Sequence, residues 1–260
     1  MARLPPRSYL PGLNEGLECV RGGSGAATVV LVNGAGGPLE GWLRVFGPVA
    51  GFAKVFAYNR PGIGASSKPR LAQTASHMVE SLRTALQAAA LPPPYLLVGH
   101  SFGGLIVNLF ARRHPGEVAG VVFLDATAPH DVLLLPQHDN AVQRALRRTA
   151  RWLAPPHRHA ESEHAEASAA EILQAPPFPH LPLAVITGGA PALAWATAPA
   201  LLAARAEHQR KLVALSPFGR QIIAARSGHF PQLSEPALVV EAIRATAMAS
   251  SVAPPLARSA

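Results

Sequence analysis

The sequence predicts an α/β domain built on a mostly parallel, doubly wound sheet and interrupted by one helical insert, and three features of its 260 residues predict it. Short runs rich in Val, Ile and Leu recur at 29–32, 55–58, 96–98, 121–124, 183–186 and 221–224, the signature of strands buried on both faces. Segments with helical spacing, at 77–90, 102–114 and 236–248, alternate with several of these runs, as connections between parallel strands require. The alternation lapses from 127 to 180, far longer than an ordinary loop, so that stretch needs helices of its own. Residues 1–127 and 181–250 are therefore expected to form the core, 128–180 a helical cap, and 251–260 a frayed tail.

Taken in chain order, the N-terminal stretch MARLPPRSYLPGL carries charges and repeated prolines but no apolar core of the kind a signal peptide needs, so a cytoplasmic location is expected. The run at 29–32 is followed by Asn33-Gly34-Ala35-Gly36-Gly37, and the run at 55–58 by Asn59-Arg60-Pro61-Gly62-Ile63-Gly64. The run before Gly99 leads into Gly99-His100-Ser101-Phe102-Gly103 and then a helical pattern, while GVVFLD ends on Asp125. In the insert, Val132, Leu135, Val142, Leu146 and Leu153 stand among arginines, and 161–174 is rich in Ala and Glu. Two or three helices broken by Pro136, Pro155 and Pro156 are expected there. The final run, QIIAA, is followed by Arg226-Ser227-Gly228-His229-Phe230.

Composition excludes several classes of function. The formal charge is +8, but arginines are scattered from Arg3 to Arg258, and the one local cluster, Arg144, Arg147, Arg148 and Arg151, does not make a nucleic-acid face. Cys19 is the single cysteine, so an internal disulfide and a thiolate metal site are excluded, and a small buried hydrophobe is expected. No apolar stretch reaches the roughly 18 to 20 residues that cross a bilayer. His157, His159 and His164 lie among prolines without regular ligand spacing, which argues against a metal. With about half its residues hydrophobic (49%), the chain can bury the core an enzyme needs.

The strongest local signal is Gly-His-Ser-Phe-Gly at 99–103, placed between a strand and a helix. Such a turn holds a serine hydroxyl exposed at the strand end, and flanking glycines let strand and helix approach. A serine nucleophile needs a base, and His229, in the loop after the last strand run, is at the sheet edge where such loops converge. His100, the serine's chain neighbour, is expected to pack or hydrogen-bond instead. For the orienting acid the chain offers only Asp125, Asp131 and Asp139; Asp125 ends a strand at the same edge, Asp131 is its main competitor, and Asp139 falls in the insert. Backbone N–H groups of Phe102 and Ala35 are the expected oxyanion donors, since glycines around Ala35 allow close approach. A phosphate cradle is disfavoured, because no Lys-Ser/Thr follows the glycines and no G-x-G-x-x-G occurs.

Together NGAGG, NRPGIGASS, GHSFGG and RSGHF, in this order over about residues 26–249, resemble the α/β-hydrolase superfamily. The resemblance implies that Arg60 to Gly64 shapes the loop after the second strand run. Two departures stand out: Asn33 occupies a position where relatives often carry histidine, and 188–206 contains neither Asp nor Glu, although many relatives place the acid there. Glu207 is the first acid beyond, and its surroundings read as helix, whereas Asp125 matches relatives with the acid one strand earlier. Ser101 argues against the dehalogenase and epoxide chemistries of the superfamily, which use an aspartate nucleophile. The expectation is a serine hydrolase acting on a small, hydrophobic acyl substrate, with Ser101, His229 and Asp125 as catalytic residues, no cofactor, no metal, no nucleic-acid partner and no membrane insertion. A non-catalytic ligand receptor, and a cofactor-free perhydrolase, amidase or carbon–carbon hydrolase with the same residues, remain open alternatives.

Overall fold

A computed structural model of the chain describes residues 3–10, 16–138, 157–190 and 199–252. Eight strands form one sheet: β1 (Ser8–Leu10), β2 (Leu17–Gly22), β3 (Thr28–Val32), β4 (Lys54–Tyr58), β5 (Tyr95–His100), β6 (Val118–Leu124), β7 (Leu183–Gly188) and β8 (Gly219–Ala224), in the order β1-β2-β4-β3-β5-β6-β7-β8. β1 and β2 pair antiparallel, as do β2 and β4; every other pairing is parallel. All six strand runs expected from sequence are strands, and among the described residues the two strands the sequence reading missed are the antiparallel pair β1 and β2. The described helices are α1 (Phe46–Ala50), α2 (Ala75–Ala88), α3 (Gly103–Arg113), α4 (Pro129–His138), α5 (Ala165–Leu173), α6 (Pro199–Val213), α7 (Pro231–Ser234) and α8 (Pro236–Val252).

Alternation along each inner strand divides the core into two layers. Val30, Val32, Leu97, Val121, Phe123 and Val185 pack with α2, α3, α5 and Leu212 of α6. Val29, Leu31, Leu96, Val98, Val122, Leu124 and Ile186 face the other way, against Trp42, α1 and α8. Strands apolar on both faces and helices on both sides follow from the same residues. The winding direction reverses at β3, whose neighbours are β4 on one side and β5 on the other. At such a switch point the loops leaving the two carboxyl ends part and open a crevice. Those loops here are Asn33–Gly37 and the turn at Ser101, brought side by side by the pairing of Val32 with Gly99.

Two local expectations are corrected. The helix at 77–90 starts earlier, capped by the Thr74 side chain, and ends at Ala88, because Ala90 turns left-handed at φ 53°. Pro136 does not break the insert; it lies inside the last turns of α4. The second half of the insert is built into the core: Ala169 and Ile172 are buried, and Ser168 Oγ and Glu171 Oε2 accept the N–H groups of Ala75 and Ser76 at the start of α2. Those two acceptors satisfy donors that the first turn of a helix always leaves unpaired. Asp139, Pro155, Pro156, the arginine cluster and residues 253–260 lie outside the described residues, as does the middle of the expected cap. No described helix is long and apolar enough to cross a membrane.

Candidate active site

Ser101 sits between β5 and α3 with φ 49°, a left-handed conformation costly for any side chain. The turn is held by three backbone hydrogen bonds: Ser101 N–H donates to the Leu124 carbonyl (3.1 Å), and the Ser101 carbonyl accepts from Gly104 (2.9 Å) and Thr127 (3.0 Å). The flanking glycines are sterically required. A Cβ on Gly99 would lie 2.7 Å from the Gly103 carbonyl oxygen, and one on Gly103 would lie 2.3 Å from the Val32 carbonyl oxygen. Because backbone cannot swing aside as a side chain can, Gly103→Ala is expected to cost about 2–3 kcal/mol, read as a lowered urea midpoint.

The serine hydroxyl meets His229 Nε2 at 2.8 Å, and His229 Nδ1 meets Asp125 Oδ2 at 2.7 Å. A carboxylate can only accept, so Nδ1 carries the proton and the Nε2 lone pair is left for the serine O–H. Asp125, also left-handed at φ 40°, is buried at the end of β6, and its N–H donates to the Ile186 carbonyl at 2.7 Å. Its Oδ1 accepts the Gly188 N–H at 3.1 Å. Burial pushes this carboxyl up, but the hydrogen bond from His229, the charge of Arg205 and the Gly188 N–H outweigh it, leaving Asp125 below its ordinary value and ionised at neutral pH.

The loop that carries His229 is fixed at several points. Ser227 is buried and donates to Glu235 Oε2 at 2.6 Å, which also accepts the Arg226 N–H. A Cβ on Gly188 would lie 2.2 Å from the Gly228 carbonyl oxygen, so β7 and this loop touch through backbone. His100 Nε2 donates to the His229 carbonyl at 2.7 Å, with the two rings 5.0 Å apart, so the serine's neighbour packs against His229 and hydrogen-bonds to it, as expected.

Burial pushes the His100 imidazole down to about 4, against the opposing pull of that hydrogen bond. It is therefore neutral in the fold and would take a proton near its ordinary value of about 6.5 once unfolded. Stability present above about 6.5 is then lost as the pH falls toward about 4, on the order of 3 kcal/mol. The fall in urea midpoint between about pH 7 and about pH 4.5 should be smaller in His100→Gln than in wild type.

The loop that carries Ala35 also reaches Ser101. Gly34 abuts the serine, since a Cβ there would lie 2.9 Å from Ser101 Cβ. Asn33, where relatives often carry histidine, turns back and donates from Nδ2 to the Pro38 carbonyl at 2.7 Å, closing the loop on itself. Within that loop Gly36 N–H is taken by Glu161 Oε1 at 2.7 Å, whereas the N–H groups of Ala35 and Phe102 have no acceptor among the described residues. The arrangement therefore joins a serine, an imidazole that turns its unprotonated nitrogen to it, and an ionised acid.

The match to the alpha/beta hydrolase fold family runs over residues 27–168, more than half of the chain. The chain belongs to the α/β-hydrolase family. It is 37% identical over 105 residues to the uncharacterized protein YqjL of Bacillus subtilis (strain 168), a stretch that is 40% of this chain and 42% of that one. Its matches to the first curated relatives all span less than half of the relative's own length. The α/β-hydrolase fold is shared with a thermophilic esterase from Thermogutta terrifontis (TM-score 0.65, 18% identity, 95% of this chain and 99% of that one). It is shared also with CarC, a serine hydrolase involved in carbazole degradation (TM-score 0.65, 17% identity, 94% and 98% covered).

Against the family pattern, three side chains were missed by sequence reasoning. Arg205, exposed on α6, donates from Nη2 to Asp125 Oδ2 at 2.5 Å and lies 3.3 Å from His229 Nδ1. His208, one turn on, pairs through Nδ1 with Asp131 Oδ1 at 2.5 Å, so the competing aspartate is engaged elsewhere, and Asp131 Oδ2 accepts the Ala128 N–H at the start of α4. Gln209 donates to the Ala126 carbonyl at 2.7 Å, so three side chains of one helix face bind the segment after β6. Glu207 points elsewhere, to Lys211 Nζ at 3.0 Å. A spacing of i, i+3, i+4 within 205–209 is the one signal that could have placed these three on a common face.

Proposed function

We propose that this chain is a serine hydrolase that cleaves an ester or related acyl bond of a small, apolar substrate through an acyl-enzyme. Ser101 Oγ attacks the carbonyl carbon as His229 Nε2 takes its proton, and the amides of Ala35 and Phe102 receive the developing oxyanion. His229 then returns the proton to the leaving alcohol. Water, activated by the same imidazole, attacks the acyl group and frees Ser101. Asp125 holds the base in the tautomer this requires and offsets the charge of the imidazolium.

The observation that carries the reading is the unbroken line of contacts from Asp125 through His229 to Ser101, at 2.7 and 2.8 Å. An apolar acyl or alcohol group is favoured by Phe230, which stands about half exposed (52%) beside the base with its ring 5.1 Å from that of His229. Incubation with p-nitrophenyl acetate and butyrate, and with a fluorophosphonate probe, tests the proposal. Turnover and a probe adduct on the peptide carrying Ser101 are expected. Neither turnover nor adduct in the folded protein would favour a ligand receptor that has kept the residues without the chemistry.

A further inference from the structure

Resting on that reading, we infer that Arg60 and Glu161 act together as positioning residues that set the oxyanion donor, with the second of them supplied by the insert. Arg60 is 2% exposed and Glu161 8% exposed, and they pair through Nε–Oε2 at 2.5 Å and Nη2–Oε1 at 2.9 Å. Burial alone would make the guanidinium easier to discharge, but the facing carboxylate outweighs it and holds Arg60 above its ordinary value. A charged pair this deep is costly to desolvate and is no general route to stability, so its presence behind the loop that abuts Ser101 asks for another reason.

That reason lies in what the pair touches. Arg60 Nη1 donates to the Asn33 carbonyl at 2.8 Å, Arg60 Nη2 to the Gly34 carbonyl at 2.6 Å, and Glu161 Oε1 accepts the Gly36 N–H at 2.7 Å. Three consecutive peptide units, 33–34, 34–35 and 35–36, are thus each held by one atom of the pair, and the Gly34 carbonyl takes the Gly37 N–H as a second donor at 3.1 Å. In a planar trans peptide the C=O and N–H point in opposite directions. Drawing the Gly34 carbonyl onto Arg60 therefore turns the Ala35 N–H to the side away from Arg60. Glu161 meanwhile consumes the neighbouring Gly36 N–H, which removes it as a rival donor. An oxyanion donor must be oriented before the reaction, because a peptide that has to rotate in the transition state returns its stabilisation as reorganisation.

The pair is therefore expected to act on the transition state and little on substrate binding. Replacing both partners with apolar residues, Arg60→Met together with Glu161→Leu, removes the clamp without leaving a buried charge, and Glu161→Gln removes the charge alone. Both should lower kcat for p-nitrophenyl butyrate, the double variant by about 10²-fold, with KM changed less than about threefold. Affinity for an alkyl trifluoromethyl ketone, which forms a tetrahedral oxyanion on Ser101, should fall in parallel, while affinity for butyrate stays constant. Combined with Ala35→Pro, which deletes the donor, the clamp variant should add little further loss. Ser101-dependent turnover with kcat and ketone affinity unchanged in the folded double variant would overturn the clamp and leave the hydrolase reading standing. Loss of ketone and butyrate affinity by the same factor would also overturn it, as the sign of a merely structural pair. Absence of Ser101-dependent turnover in the wild type would sink both.

Discussion

Ser101→Ala is expected to lower kcat/KM for p-nitrophenyl esters by about 10⁴- to 10⁶-fold while leaving the fold intact. The size follows from the step removed. Without the hydroxyl no acyl-enzyme can form, and His229 and Asp125 have no proton to move, so what survives is the modest acceleration from binding and the peptide donors. Stability should change by less than about 1 kcal/mol, because the only hydrogen-bond partner of the Ser101 hydroxyl among the described residues is His229 Nε2, on a ring open enough to take water instead. The strained φ of 49° is no worse for alanine than for serine. Steady-state kinetics alongside a urea melt decide the matter. A folded variant with wild-type turnover would remove Ser101 from the chemistry and direct attention to another nucleophile.

The parts of this molecule that could be read in its sequence are those governed by local pattern. β3, β5, β6 and β7 are covered by helices on both faces, so nearly every residue in them is apolar and the run announces itself. β1 is three residues long, and β2 mixes Glu18 and Arg21 with Cys19 and Val20 at the antiparallel side of the sheet, so neither carries a comparable signal. The serine turn was legible because its two glycines flank the serine in a fixed pentapeptide between an apolar run and a helical pattern, even though the contact that demands Gly103 comes from Val32, far back in the chain. Arg60 and Glu161 are separated by 101 positions and Arg205 from Asp125 by 80, and an ion pair across such distances leaves no local trace. Asp125 was reached by its place at a strand end and by elimination among three aspartates, and what separates it from Asp131 in the fold is that His229 meets the first while His208 of α6 meets the second, contacts over 104 and 77 positions that leave no local pattern.

That choice yields the second large effect. Asp125→Asn should lower kcat/KM by about 10³- to 10⁴-fold, while Asp131→Asn should keep activity within a few-fold and cost about 1–2 kcal/mol of stability through the Asp131 contacts with His208 and Ala128. The carboxylate of Asp125 accepts from three sides, from Gly188 on Oδ1 and from both His229 and Arg205 on Oδ2. An amide has one acceptor and one donor end. If its oxygen keeps the Gly188 N–H, its NH₂ faces the guanidinium and the imidazole N–H, and the ring escapes by moving its proton to Nε2, where it can no longer accept from Ser101. If the oxygen turns to Arg205 and His229 instead, the NH₂ is driven against the Gly188 N–H and pulls the end of β7 away from Gly228, whose backbone it touches. Arg205 thus makes asparagine a poorer substitute here than in a site whose acid binds only its histidine. Arg205→Gln should partly relieve the conflict, so that Asp125→Asn costs less in that background than in wild type. Equal losses in the two backgrounds would show that the guanidinium has no say in how the acid orients the base.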